Sequence, residues 1–129
     1  MNIPQGLKYT KEHEWIALKD GVATIGITDH AQNELGEIVY VEIETVGEKI
    51  AKDEVFGTVE AVKTTSDLFM PLTGEVIEFN DQLNEEEGDN PGLINEDPYG
   101  QGWIIKIRVS EEGEVENLLS DEKYQELIG

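Results

Sequence analysis

Apolar and polar residues alternate along most of this chain with the two-residue period of half-buried β-strands. Trp15 to Ile27 (WIALKDGVATIGI) contains two such runs flanking Asp20-Gly21, a pair suited to a tight hairpin turn. Thr28 and Asp29 stand where a short helix, HAQNEL, can be capped, and Gly36 where it can stop. A strand resumes over Glu37 to Ile43, and VGEKIAKDEVFGTVEAV supplies two more around a bend at Lys52-Asp53. A turn containing Lys63 follows, then SDLFMPL, a turn at Gly74, and EVIEFN. The stretch DQLNEEEGDNPGLINEDPYGQG is rich in Asn, Asp, Gly and Pro and reads as turn and loop, and WIIKIRV is the last clear strand. EVENLLSDEKYQEL has helical spacing, with Val115, Leu118 and Leu119 on one face and Tyr124 and Leu127 further on. This C-terminal helical segment covers about residues 113–128, and Ser120 can cap a second short helix inside it.

Many short strands with helices only at the edges indicate a small β sandwich or barrel, and 129 residues suit one domain over residues 1–129. GEIV from Gly36 and GEVI from Gly74 echo one another on either side of the Lys63 turn, which suggests two pseudo-equivalent halves. Nine basic against 29 acidic residues give a formal charge of −20, a surface that repels phosphate backbones and anionic membranes. A nucleic-acid or membrane partner is therefore not expected, whereas basic protein surfaces and cationic groups fit. The absence of cysteine excludes disulfides, thiolate metal sites and cysteine nucleophiles, so any redox sulfur must arrive on a cofactor. The N-terminal MNIPQGLKYTKEHEW has neither signal-peptide regions nor the Arg-rich look of a transit peptide, and the expected location is the cytoplasm, or the mitochondrial matrix only after removal of a transit peptide.

Lys63 is the residue that calls for an explanation. A lysine at a hairpin tip is ordinarily a solvated charge. Here its neighbours Ala61, Val62, Thr64 and Thr65 are small or β-branched, which leaves the ammonium sterically open, and Glu60 and Asp67 are near but not adjacent. His13 and His30, with Glu12, Glu14 and Asp29 close in sequence, have no recognised metal-ligand spacing and read as surface or structural histidines. Glu85 to Asn90 lacks the alternating oxygen ligands of a calcium loop and reads as a solvated acidic loop. Trp15, Tyr99 and Trp103 read as core or core-edge aromatics, and Gly36, Gly47, Gly57 and Gly74 as turn or bulge residues.

The run from Val46 to Ser66 resembles the lipoyl and biotinyl carrier domains, in which a hairpin lysine is acylated by a carboxylic cofactor. The chain as a whole is similar to the H-protein family of the glycine cleavage system. The matching segments are YTKEHEW, VGITDHAQNELGEIVYVE, VEAVKTTSD, PLTGEVIEFN, LINEDPYGQGWIIKI and LLSDEKYQEL, in the family order over nearly the full length. A biotin carrier would show Met on both sides of the lysine, where Val62 and Thr64 stand. Lipoyl domains of the 2-oxoacid dehydrogenases usually have Asp before it and lack the KEHEW and PYGQGW blocks.

This resemblance implies a mostly β fold, the small two-sheet carrier sandwich (a barrel-sandwich hybrid) with short peripheral helices and a lysine hairpin at about 55–71. It implies lipoate in amide linkage to Lys63, on a carrier that is not itself an enzyme. The implied partners are the P protein (glycine decarboxylase), which loads methylamine, the T protein (aminomethyltransferase), which unloads it, and the L protein (dihydrolipoyl dehydrogenase), which reoxidises the dithiol. Lipoylating enzymes must first modify Lys63. In the family the loaded arm folds into a surface cleft, to which Glu14 and Asp67 match acidic positions; Glu34 falls where some members carry histidine. A relay carrying lipoyl or octanoyl groups to 2-oxoacid dehydrogenases would use the same lysine. A plain acidic interaction domain would carry none.

Overall fold

A computed structural model describes residues 2–129 of the chain. Strand β1 (Lys8–Tyr9) leads into the hairpin of β2 (Glu14–Lys19) and β3 (Val22–Ile27). Its two-residue turn has φ of 52° at Asp20 and 79° at Gly21, the left-handed pair that matches the twist of the flanking strands. Helix α1 (Asp29–Leu35) starts at Thr28, whose side-chain oxygen accepts from the Ala31 N–H, and ends at Gly36 with φ 83°. Then come β4 (Ile38–Glu42), β5 (Lys49–Ile50), β6 (Val55–Ala61), β7 (Thr65–Phe69) and β8 (Gly74–Phe79). A one-turn helix α2 (Leu93–Glu96), strand β9 (Ile105–Val109) and helix α3 (Asp121–Ile128) complete the order, with 3-10 turns at Asp81–Leu83 and Glu112–Asn117.

The strands form two antiparallel sheets, β1-β2-β3-β9-β8-β5 and β4-β6-β7. Inward residues of both build one core, with Ile16, Ile25, Val76 and Ile107 from the larger sheet meeting Val41, Val59 and Leu68 from the smaller. The expected two-sheet β sandwich with few short helices is the observed fold. The GEIV and GEVI segments open β4 and β8, one in each sheet. A second, aromatic cluster of Tyr9, Trp15 and Tyr124 lies on the other face of β2, with the Tyr9 and Tyr124 rings stacked at 4.8 Å. Trp15 Nε1–H donates to Pro98 O at 2.9 Å, which ties the long loop to this cluster.

Two expectations are corrected, at the loop after β8 and at Gly74. The loop after β8 contains α2, because Leu93 and Ile94 are buried in the core and fold a helical turn among the Gly and Pro residues. The C-terminal segment contains the second short helix expected at Ser120, after a 3-10 turn at Glu112–Asn117. Leu119 exchanges backbone hydrogen bonds with Tyr9, which breaks the helix before Ser120 recaps it as α3. Gly74 is a strand residue rather than a turn: a Cβ there would lie 2.4 Å from the Arg108 carbonyl oxygen, so β8 and β9 meet closely only over glycine. Because that neighbour is backbone and cannot rotate away, Gly74→Ala should destabilise the fold by about 1–3 kcal/mol in urea unfolding. Gly113→Ala, whose Cβ enters open space, should leave the midpoint nearly unchanged.

Candidate functional site: an exposed lysine beside an acid-ended cleft

The β6–β7 hairpin places Lys63 at its tip. The two strands pair from Val55↔Phe69 to Glu60↔Thr65, and the connection is closed by the Ala61 N–H donating to Thr64 O at 2.8 Å. Val62 N–H donates to Glu37 O at 3.0 Å, which anchors the tip against the segment entering β4. A rigid base thus carries an open end, since Val62, Lys63 and Thr64 are all exposed. Among the described residues no carboxylate pairs with the Lys63 ammonium; the other recorded ion pairs use His30, Lys52, Lys106 and Arg108.

Down the same hairpin lies a cleft of about 310 Å³ between α1, β2 and β6–β7. Its apolar wall is Ile27, Ala31, Leu35, Val59 and Leu68, and its polar groups are Glu12, His13, Glu14, His30, Glu34, Ser66 and Asp67. Glu14, Asp67 and Glu34 are therefore brought together on one cavity. They differ sharply in environment. Asp67 and Glu34 are exposed at its edge, and Glu34 reaches His30 at 3.6 Å, one helical turn away on α1. Glu14 is only 2% exposed.

Burial dominates the chemistry of Glu14. Its Oε2 accepts from Phe69 N–H at 2.9 Å and its Oε1 meets the Thr10 hydroxyl at 3.3 Å. These hydrogen bonds favour the carboxylate, but desolvation outweighs them, with the charges of Glu12 and Asp53 adding to it, and the pKa is pushed up to about 8. No cation pairs with Glu14 among the described residues. Its other side borders a second cavity of about 330 Å³, whose wall includes Thr10, Lys52, Phe69 and Met70. Burial of this kind favours the protonated acid, and a cation placed beside it would favour the carboxylate.

Sequence leaves the two histidines as surface or structural residues, and the structure places both beside the cleft. Both are half-buried on the cleft wall, with ring centroids 4.8 Å apart. His13 has φ 68°, unusual without glycine, and its Nδ1 lies 2.8 Å from the Tyr124 hydroxyl on α3. Nothing in the local sequence signals that turn conformation, and Tyr124 is 111 residues away.

A family model described as glycine cleavage H-protein matches residues 7–129. The glycine cleavage system H protein of Bacteroides thetaiotaomicron is 52% identical over 128 residues, covering 99% of this chain and 98% of that protein. The corresponding protein of Bacteroides fragilis is 53% identical over the same length and coverage. Among solved structures, a crystal structure of a glycine cleavage system H protein from Mycobacterium marinum superposes with a TM-score of 0.84 at 36% identity, covering 98% of this chain and 99% of that one. Match and fold extend over essentially the whole chain, and the chain belongs to the glycine cleavage H-protein family.

Proposed function

We propose that residues 1–129 act as one carrier domain bearing lipoate on Lys63, and that it moves the methylamine of glycine from the P protein to the T protein without catalysing either step. The observation that carries this reading is an exposed lysine, without an ion-pair partner among the described residues, on a backbone-anchored hairpin tip beside a cleft lined by a buried acid. Lipoate would supply the disulfide that this cysteine-free chain lacks, accepting the cargo and leaving as a dithiol for the L protein to reoxidise. Its lysine must be reachable by lipoylating enzymes, which the exposure of Val62, Lys63 and Thr64 favours. Asp67 is four residues from Lys63, roughly 13 Å of strand, a span that a lysine side chain lengthened by a medium-chain acid can cover.

The cleft residues would then protect the cargo. Apolar walls keep water from the carbon between sulfur and nitrogen, while Glu14, with Asp67 and Glu34 at the edge, accepts hydrogen bonds from the cationic amine. Glu14 would lose its proton as the ammonium enters, so docking near neutral pH should release about one proton. The relatives' names favour glycine cleavage over a lipoyl relay. The cytoplasm is the compartment that fits this role.

Reconstitution tests the proposal. Lipoylated chain, mixed with P and T proteins, should support release of carbon dioxide from glycine and transfer of the one-carbon unit to tetrahydrofolate; unmodified chain should not. Equal rates for the two forms would overturn it. With a net charge of −20, the partners' docking faces should be basic, so the carrier's affinity should weaken as ionic strength rises from 0.01 M, where the Debye length is about 30 Å, to 0.15 M, where it is about 8 Å. A salt-independent affinity would instead assign docking to apolar contact.

A further inference from the structure

A chain of three side chains links the C-terminal helix to the cleft, and counting its protons fixes its direction. Thr28 is fully buried, and its hydroxyl has two partners among the described residues. One is the Ala31 N–H, which only donates to it. The other is the Tyr124 hydroxyl at 2.7 Å, so Thr28 has a single acceptor for its own proton. Tyr124, having accepted there, sends its proton to His13 Nδ1 at 2.8 Å. Nδ1 is then an acceptor, and the imidazole is neutral with its proton on Nε2. An imidazolium would need Nδ1–H to donate to Tyr124, whose proton would turn to Thr28 and strand the Thr28 proton in a buried position, at the desolvation cost of an unmet donor.

We propose that Tyr124 is a positioning residue of the arm cleft: through the Thr28–Tyr124–His13 chain it holds His13 as a neutral imidazole, and the cleft retains a cationic amine only while that imidazole is uncharged. This rests on the arm-cleft reading above. The groups around His13 define the balance. Burial and the neighbouring His30 on α1 disfavour a charge on His13, while Glu12 in the β1–β2 turn and Glu34 on α1 favour one; the sum holds its pKa below the usual histidine value. Glu14 on β2 and Asp67 on β7 share the cavity, and Tyr124 on α3 stays protonated, its pKa pushed up to about 12 by burial. A charge on His13 would stand in the same small cavity as the ammonium drawn in by Glu14, and would oppose it. Acid would therefore release the arm.

Two readouts test this on the full chain. The first needs no cargo: in ¹⁵N NMR of the imidazoles at pH 7.5, His13 should show a bare Nδ1 and a protonated Nε2. Tyr124→Phe, which keeps the stack on Tyr9, should raise the His13 pKa, whereas Thr28→Ser in the otherwise unchanged chain, which keeps the hydroxyl, should behave as wild type. The second is a protection factor, the rate of methylamine loss from free aminomethyl-lipoamide divided by the rate from the loaded chain, so that intrinsic pH effects cancel. It should fall about tenfold in wild type as His13 titrates. The midpoint should move to higher pH in Tyr124→Phe; in His13→Asn, where Asn tolerates the positive φ of that position, the part of the fall due to His13 should be lost and only the titration of the cleft carboxylates should remain. A proton on His13 Nδ1, or an acid limb unchanged in both variants, would overturn the proposal. No protection at any pH in wild type, with the tautomer as expected, would overturn the cleft reading and the retention role with it.

Discussion

Lys63→Arg should abolish lipoylation and reduce carriage of methylamine between the P and T proteins to the level of chain that was never modified. Arginine keeps a positive charge at the hairpin tip, and an exposed substitution of this kind changes stability by less than about 0.5 kcal/mol. What it removes is the acylable amine, because a guanidinium remains protonated and cannot form the amide. The variant should therefore fold, elute and melt as the wild type does while showing no lipoyl mass increment and no exchange of labelled bicarbonate into glycine. The tip's anchor, Val62 N–H to Glu37 O, is backbone only and is unaffected. Carriage retained in this variant would remove Lys63 from the reaction.

Glu14→Gln should have two opposite effects. The folded pKa of Glu14 is raised from the model-peptide value of 4.5 to about 8, so between these values the native state holds a proton that the unfolded chain has lost. Its contribution is fully present below about pH 4.5 and is lost as pH rises through about 8. The loss is a few kcal/mol, at most about 5. Glutamine can still accept from Phe69 N–H and bond to Thr10, but it has no charge to desolvate. Relative to the variant, wild type should lose stability between pH 4.5 and 9 in urea unfolding, and the variant should be the more stable protein at pH 9. A constant difference across that range would mean that Glu14 is ionised in the fold.

The loaded form should respond the other way. Without a carboxylate to pair with the ammonium, Glu14→Gln should shed methylamine to water several-fold faster than wild type when no T protein is present. Asp67→Ala should do so to a smaller degree, since that carboxylate is exposed and solvent screens it. Glu86→Ala, in the exposed acidic loop, should match wild type. Equal half-lives for all four proteins would return Glu14 and Asp67 to a structural and a surface role.

What the sequence made legible is what local chemistry specifies. The Asp20-Gly21 turn, the Thr28 cap with its Gly36 stop, and the small residues around Lys63 each fix a conformation within a few residues. The family motifs then marked Glu14 and Asp67 as acids of interest. The burial of Glu14 was not legible. Alternation along β2 would turn Glu14 to one side with Ile16 and Trp15 to the other, but β2 is covered on both faces, by the main core and by the aromatic cluster, so all three are buried. His13 escaped for a different reason. Its ring is placed by a positive φ and by a hydroxyl 111 residues away, and a tertiary contact of that separation leaves no mark in the surrounding residues. The break at Leu119 has the same origin, since its backbone partner is Tyr9 near the other end of the chain.

Mass spectrometry of the chain purified from its native host tests the central claim most directly. The intact protein should carry a single lipoyl increment, and peptide mapping should locate it on the peptide containing Lys63. An unmodified chain from cells actively degrading glycine, or the increment on Lys49 or Lys52 instead, would contradict the account.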